Sequence, residues 1–261
     1  MISTIAFILL LAAAAIQAVF LFRRPAVSDP VSPWLIAASA LLLLGFFIAR
    51  SLEIGFAALT NTFESLVFYA AVIAVIEVAY RFQKKAPFFP FVEFGATFSA
   101  VVLLAIASSP LLPKEALPPI PALKSAWLAL HVSFAFIGEA FFVVSFVSAL
   151  ALLFSKDEKK RLDLDRVTYT AIAIGYPIFT AGALVFGAIW AERAWGRWWS
   201  WDPKETWALV TWLVYTAYLH IRLVMKKKEA LPSIIAVIGF LCTIFTFFGV
   251  NYLLPGLHSY G

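Results

Sequence analysis

Residues 126–154 read AWLALHVSFAFIGEAFFVVSFVSALALLF. Between Lys124 and Lys156 only His131 and Glu139 can carry a charge. An α-helix needs roughly 20 mostly apolar residues to cross the hydrocarbon core of a bilayer. This stretch exceeds that length, so it predicts a membrane-spanning helix. Seven further stretches have the same character, at about 1–22, 34–49, 63–80, 88–108, 169–190, 206–224 and 233–252. Short polar or proline-rich breaks separate them.

The whole chain agrees. Of its 261 residues, 63% are hydrophobic and 13% charged, and the mean hydropathy is +0.92. A soluble domain carries about 25% charged residues. A water-soluble globular enzyme is therefore excluded. So is a nucleic-acid-binding chain, because the net charge of +5 is not gathered into a soluble basic face. The single cysteine, Cys242, cannot form an internal disulfide, a CxxC pair or a cysteine zinc site. In lipid the backbone must satisfy its own hydrogen bonds, which helices do. The expectation is an all-α integral membrane protein, a polytopic bundle of about eight helices forming one membrane domain over 1–261.

Arg23 and Arg24 follow the first apolar stretch, and no basic residue precedes it. That order is wrong for a cleaved signal peptide and predicts a retained helix. Threading eight spans through a bilayer places fourteen of the twenty Lys and Arg on one side and six on the other. The positive-inside rule makes the richer side cytoplasmic. Both termini are then expected outside. Pro177 falls inside the sixth span, where it should kink the helix. Asn61-Thr-Phe-Glu64 fits a helix-capping pattern, with Asn61 accepting from the new helix and Glu64 reaching back.

Seven of the nine tryptophans lie between 190 and 212. The core of this segment is Trp195-Gly-Arg-Trp-Trp-Ser-Trp-Asp-Pro-Lys-Glu-Thr-Trp207, which joins the sixth and seventh spans on the outer face. An interfacial aromatic belt explains one or two tryptophans at each helix end, but not seven in one loop. A platform for a large planar ligand explains the concentration better, since indole faces hold such a ligand by stacking. Within it, Asp202 can cap the next helix and Pro203 suits its first turn. The residues expected to build the loop, 190–207, and its platform are Trp195, Gly196, Trp198, Trp199, Trp201, Asp202, Pro203 and Trp207.

The three histidines are His131, His220 and His258. A lone histidine is usually a packing or capping residue. Here His131, at the outer start of the fifth span, and His258, near the C-terminus, share one face with the tryptophan loop. Two neutral imidazoles are a common axial pair for haem iron. The planar ligand and the histidine pair thus point to the same molecule, haem. His220 lies 13 residues beyond Trp207, roughly 20 Å deeper at 1.5 Å per residue. An ionisable group at that depth is a functional candidate, and a two-histidine site there would need a second protein. Thr216 and Ala217, one turn earlier, are small and could leave room for a macrocycle. Arg193, Arg197 and Lys204 could meet haem propionates at the outer site, and Arg222 at the inner one. Ordinary interfacial snorkelling is the alternative for each. Glu77 and Glu93 are expected near cytoplasmic ends, snorkelling or pairing with Arg81, Lys84 or Lys85. Buried pairing or a proton role is open to Glu139.

These residues carry a resemblance. Trp195-Gly196, Trp198-Trp199 and Trp201-Asp-Pro-Lys-Glu-Thr-Trp207 are similar to the "WWD" motif of haem-handling proteins in cytochrome c maturation. The WDPKETW ending, Tyr218-Leu-His220-Ile-Arg222 and Gly256-Leu-His258-Ser-Tyr260 resemble the CcsA (ResC) family within that group. Thr60-Asn-Thr-Phe-Glu-Ser65 and Leu130-His131-Val132 resemble it too, so the likeness runs from about residue 45 to the end. The resemblance implies haem movement across the membrane and its presentation at an external site. There it would be attached covalently to the CxxCH motif of apocytochrome c, by a cytochrome c haem-lyase complex of which this chain is a subunit. It implies that His131 and His258 are external axial ligands and that His220 is one ligand of a membrane-buried haem. The other ligand there would come from a CcsB (ResB)-like partner. It implies a bacterial plasma membrane or a thylakoid membrane, with the active face extracytoplasmic. The alternatives are haem delivery to a carrier in the manner of the CcmC family, and a transporter of a non-haem ligand.

Overall fold

In the computed structural model, residues 1–24, 27–83 and 89–254 are described. Among them the secondary structure is helical throughout. The helices are α1 (Ile2–Arg23), α2 (Ser32–Ile54), α3 (Thr62–Phe82), α4 (Pro90–Ser108), α5 (Ala126–Phe154), α6 (Glu158–Phe179), α7 (Gly187–Trp195), α8 (Pro203–Leu223), α9 (Ala230–Ile244) and α10 (Val250–Leu253). Wider π-helical segments, Thr180–Phe186 and Phe245–Gly249, join α6 to α7 and α9 to α10. Among the described residues, seven stretches are long and apolar enough to cross a membrane. The chain is an integral membrane protein, as its composition predicts. The remaining expected span, the seventh at about 206–224, corresponds to α8, of 21 residues. Its first turn carries Lys204 and Glu205 and its last His220 and Arg222, so charge stands at both of its ends.

The helices sort into two compact units, Met1–Ser125 and Ala126–Gly261. In the first, α3 is the central helix: 72% of its apolar window is buried, against 28% for α1 and α2. The helix starts as the capping pattern predicts, with the Asn61 side chain accepting from the Glu64 N–H at 2.8 Å. Glu64 reaches back to Thr60, accepting from its N–H (3.1 Å) and its hydroxyl (3.2 Å). The same buried carboxylate meets Arg50 of α2 at 3.2 Å. Arg50 also donates to the carbonyls of Lys114 and Glu115. An arginine that reads as a membrane-end cation is thus a buried brace between α2, α3 and the loop after α4.

In the second unit α5 is central, again with 72% of its window buried. It packs along α6 where Gly138 and Gly175 face each other. A Cβ on Gly175 would stand 2.8 Å from the Gly138 carbonyl oxygen, so the two backbones approach as small residues allow in membranes. Pro177 lies inside α6, and the π segment begins three residues later. Local π adjustment is one way a membrane helix re-satisfies the groups that a proline frees.

Candidate functional site

The π segment after α6 seats a histidine. His131, on α5, places Nδ1 2.9 Å from the carbonyl oxygen of Gly182. A carbonyl only accepts, so Nδ1 carries the proton. Nε2 is then the nitrogen with the lone pair, the state in which imidazole binds a metal. The Gly187 N–H reaches the same carbonyl through the wide π turn. A Cβ on residue 187 would lie 2.9 Å from His131 Nδ1, so the imidazole fits there because residue 187 is glycine. Trp190, buried to 2% exposure, lies parallel to the imidazole, with centroids 6.2 Å apart and planes 5° apart. Trp195 meets Trp190 edge-on at 6.0 Å and 75°.

The loop beyond is fixed from its far end. α7 stops at Gly196, whose φ of +70° is a left-handed C-cap. Asp202 caps α8 as expected, its Oδ1 accepting from the Lys204 N–H at 3.0 Å, and Pro203 takes the first helical position. Glu205 completes a capping box. Its Oε2 accepts from the Ser200 N–H (2.8 Å), the Ser200 hydroxyl (3.1 Å) and the Asp202 N–H (3.3 Å). Those bonds bracket Trp201, whose φ is +59°. A non-glycine residue there costs on the order of 1–3 kcal/mol and persists only where its surroundings impose it. The strain coincides with display, since Trp201 is 69% exposed and Trp198 60%.

The other indoles do not join one flat ledge. Trp199 stands perpendicular to Trp201, at 5.8 Å and 87°. Trp207 turns onto Phe245 at 4.2 Å. Trp212 donates its Nε1 proton to the Thr180 hydroxyl at 3.0 Å. The Nε1 donors of Trp195 and Trp199 are buried without a hydrogen-bond partner, two N–H groups that an acceptor on a bound molecule could satisfy.

The cations differ in what they already hold. Arg193 lies over Trp127 at 5.5 Å, and Arg197 is exposed. Lys204 donates to Asn251 Oδ1 at 3.0 Å and sits over Phe247 at 5.6 Å. It also lies within electrostatic reach of buried Glu139, whose Oε2 has no hydrogen-bond partner. Arg222 is paired with Asp165 at 2.5 Å and lies over Tyr169 at 5.2 Å. Asp165 accepts in turn from the Glu229 N–H at 3.0 Å. Arg222 is thus part of a buried ion pair between α6 and α8.

His220 is exposed, on the same α8 face as Leu213 and Ala217, which are also exposed. Thr216 faces the bundle instead, its hydroxyl 2.7 Å from that of Tyr176. Any room beside His220 is therefore on the Ala217 side. His258 lies outside the described residues, as do Gly256, Tyr260, Lys84 and Lys85. Glu93 pairs with Arg81 at 3.5 Å, one of the partners expected for it. Sequence reading missed the seat that Gly182 and Gly187 make for His131 and the role of Glu205. The five-residue spacing of those glycines matches a π turn, but nothing in the sequence assigns that turn to a histidine 51 residues earlier.

Comparison with known proteins follows the same lines. A family profile described as "Cytochrome C assembly protein" matches residues 59–258. A cytochrome c biogenesis protein CcsA of Chlamydomonas reinhardtii is 41% identical over 238 residues, covering 85% of this chain and 66% of its own length. A CcsA of Guillardia theta is 35% identical over 246 residues, covering 81% of this chain and 79% of its own. Among solved structures, the cytochrome c haem lyase CcmF superposes with a TM-score of 0.74 at 16% identity, over 98% of this chain and 46% of that one, a likeness of fold. Helical membrane architecture, the tryptophan loop and these relatives converge: the chain belongs to the cytochrome c assembly protein family and, within it, to the CcsA proteins of cytochrome c biogenesis.

Proposed function

We propose that this protein receives haem within the membrane and presents it beside the tryptophan loop for attachment to apocytochrome c. The observation that carries the reading is the seat of His131. A backbone carbonyl fixes its tautomer with Nε2 as the unprotonated nitrogen, and a buried indole lies parallel to its ring. His131 and His258 ligate the iron from its two sides. The exposed faces of Trp198 and Trp201 pack against the porphyrin, and the buried Trp195 and Trp199 N–H groups meet acceptors on it or on the incoming chain.

The peptide supplies both thiols for the thioether bonds, so this chain needs no nucleophile. Its contribution is to hold reactants in position and to set the state of the iron through its ligands. Arg193 and Arg197 are the cations best placed to meet propionates, since Lys204 and Arg222 already have partners. His220, exposed on α8, ligates a second, membrane-buried haem together with a residue of a CcsB-like subunit. The tryptophan loop faces the extracytoplasmic side, in the orientation that the Lys and Arg distribution favours.

The test is the visible absorption spectrum of the purified protein, alone and with a CcsB-like partner. A bis-histidine haem spectrum is expected, lost on His131→Ala or His258→Ala. Normal cytochrome c maturation by both single variants would overturn the ligand assignment.

A further inference from the structure

The N-terminal unit holds a polar cluster that haem chemistry does not use. Glu77 of α3 is 2% exposed, and Gln17 of α1 is 4% exposed. Glu77 Oε1 accepts from Gln17 Nε2 at 3.0 Å and from the Thr97 hydroxyl of α4 at 2.7 Å. Glu77 Oε2 and Gln17 Oε1 have no hydrogen-bond partner. One side-chain pair thus contains two buried acceptors and lacks a donor for either. Leaving such groups unsatisfied is costly, most of all for a charged oxygen.

Among the described residues, Glu77 makes no ion pair. Asp29, in the loop before α2, spends its carboxylate on the Val31 and Ser32 N–H groups and the Ser32 hydroxyl. Glu93 of α4 accepts from the Ser28 hydroxyl at 2.7 Å and faces Arg81 of α3. Arg81 also donates to the Asp29 carbonyl at 3.0 Å. Arg81 thus faces Glu93 and the Asp29 backbone, and its Nε makes no hydrogen bond. A charge on Glu77 would be repelled by both Asp29 and Glu93.

What could balance the site is limited by room. The space bordered by Gln17, Ser32, Ile36, Glu77, Arg81 and Glu93 admits no water-sized occupant. Among the described residues, no three metal-binding side chains converge. A bridging water or a metal ion needs space and several ligands, whereas a proton needs neither. We propose that Glu77 is a proton-binding site within the membrane: its Oε2 carries the proton as a neutral carboxylic acid and supplies the donor that the pair lacks. Oε1 then remains the carbonyl oxygen on which Gln17 and Thr97 converge, and the Gln17 amide oxygen is the unpartnered acceptor of the same cluster.

The experiment is an infrared difference spectrum of the full-length protein in lipid at neutral pH, wild type minus Glu77→Gln. The expected result is loss of one protonated-carboxyl C=O band with no loss of carboxylate bands. Loss of carboxylate bands instead overturns the proposal. Gln17→Leu is the second variant, and it serves if Glu77→Gln does not fold. It removes the amide that donates to the acid carbonyl, so the band is expected to persist and move to higher frequency. A band that is absent or unmoved overturns the proposal. Neither spectrum depends on haem ligation, so the outcome stands apart from the functional reading above.

Discussion

The His131 ring is held against the backbone of another helix: its Nδ1 donates to the Gly182 carbonyl at 2.9 Å. The contact exists because a π turn aims that carbonyl at α5 and because Gly187 leaves the space. Gly187→Ala adds a Cβ 2.9 Å from Nδ1 and should displace the ring while leaving its chemistry intact. Loss of a group that orients a metal ligand typically costs about 10–100-fold in affinity. Haem content per protein should fall on that scale, with helix content by circular dichroism unchanged. Full haem retention in this variant would remove the seat from the argument.

Glu205 gathers three donors onto one carboxylate oxygen. Glu205→Ala leaves the Ser200 and Asp202 groups to find water. The expected cost is about 1–3 kcal/mol of local stability. Hydrogen exchange should quicken at residues 198–202 and leave the middle of α5 protected. Exchange spread evenly over both regions would mean a general defect rather than a loop anchor.

Trp201 trades backbone strain for display. Glycine accepts its positive φ without penalty, so Trp201→Gly should leave thermal stability equal or higher while haem-dependent activity falls. This opposition of stability and function marks a residue kept for what it presents. A drop in both together would count Trp201 as packing.

Arg222 and Asp165 form a largely buried ion pair, their side chains 10% and 5% exposed. Breaking such a pair by removing one partner costs about 3–5 kcal/mol, whereas replacing both by apolar residues is often close to neutral. Arg222→Leu should therefore destabilise the protein more than Arg222→Leu combined with Asp165→Leu. Equal losses in single and double variants, measured by thermal inactivation, would show the pair to be uncoupled.

His220 contrasts with Arg222, two residues on. It is exposed, so His220→Ala should leave the melting temperature of the isolated chain within error. The change should appear in the complex with a CcsB-like partner, as loss of the membrane haem absorbance. An unchanged spectrum there would remove His220 from haem binding.

The sequence alone determined the class of the molecule and the addresses of its chemistry. Apolar runs of spanning length leave a helix as the way to pair the backbone in lipid, so the spanning helices were legible, although α6 starts at Glu158, eleven residues before the apolar stretch that announced it, and the break into α7 was not foreseen. The Asn61 and Asp202 caps were legible too, because capping is a contact between close neighbours in the chain. The concentration of tryptophans and the WDPKETW ending marked the candidate functional loop by composition. Tertiary structure decided what each residue does there. Periodicity in an all-apolar helix does not say which face meets which helix, so the pairing of Arg50 with Glu64, Arg222 with Asp165 and Gln17 with Glu77 was invisible. The partners in each lie on different helices, 14, 57 and 60 residues apart. The clustered tryptophans read as one platform, whereas their packing, Trp199 perpendicular to Trp201 and Trp207 against Phe245, is set by tertiary contacts. The tautomer of His131 depends on a carbonyl 51 residues away, made available by a local widening of the helix that no residue pattern in the chain spells out.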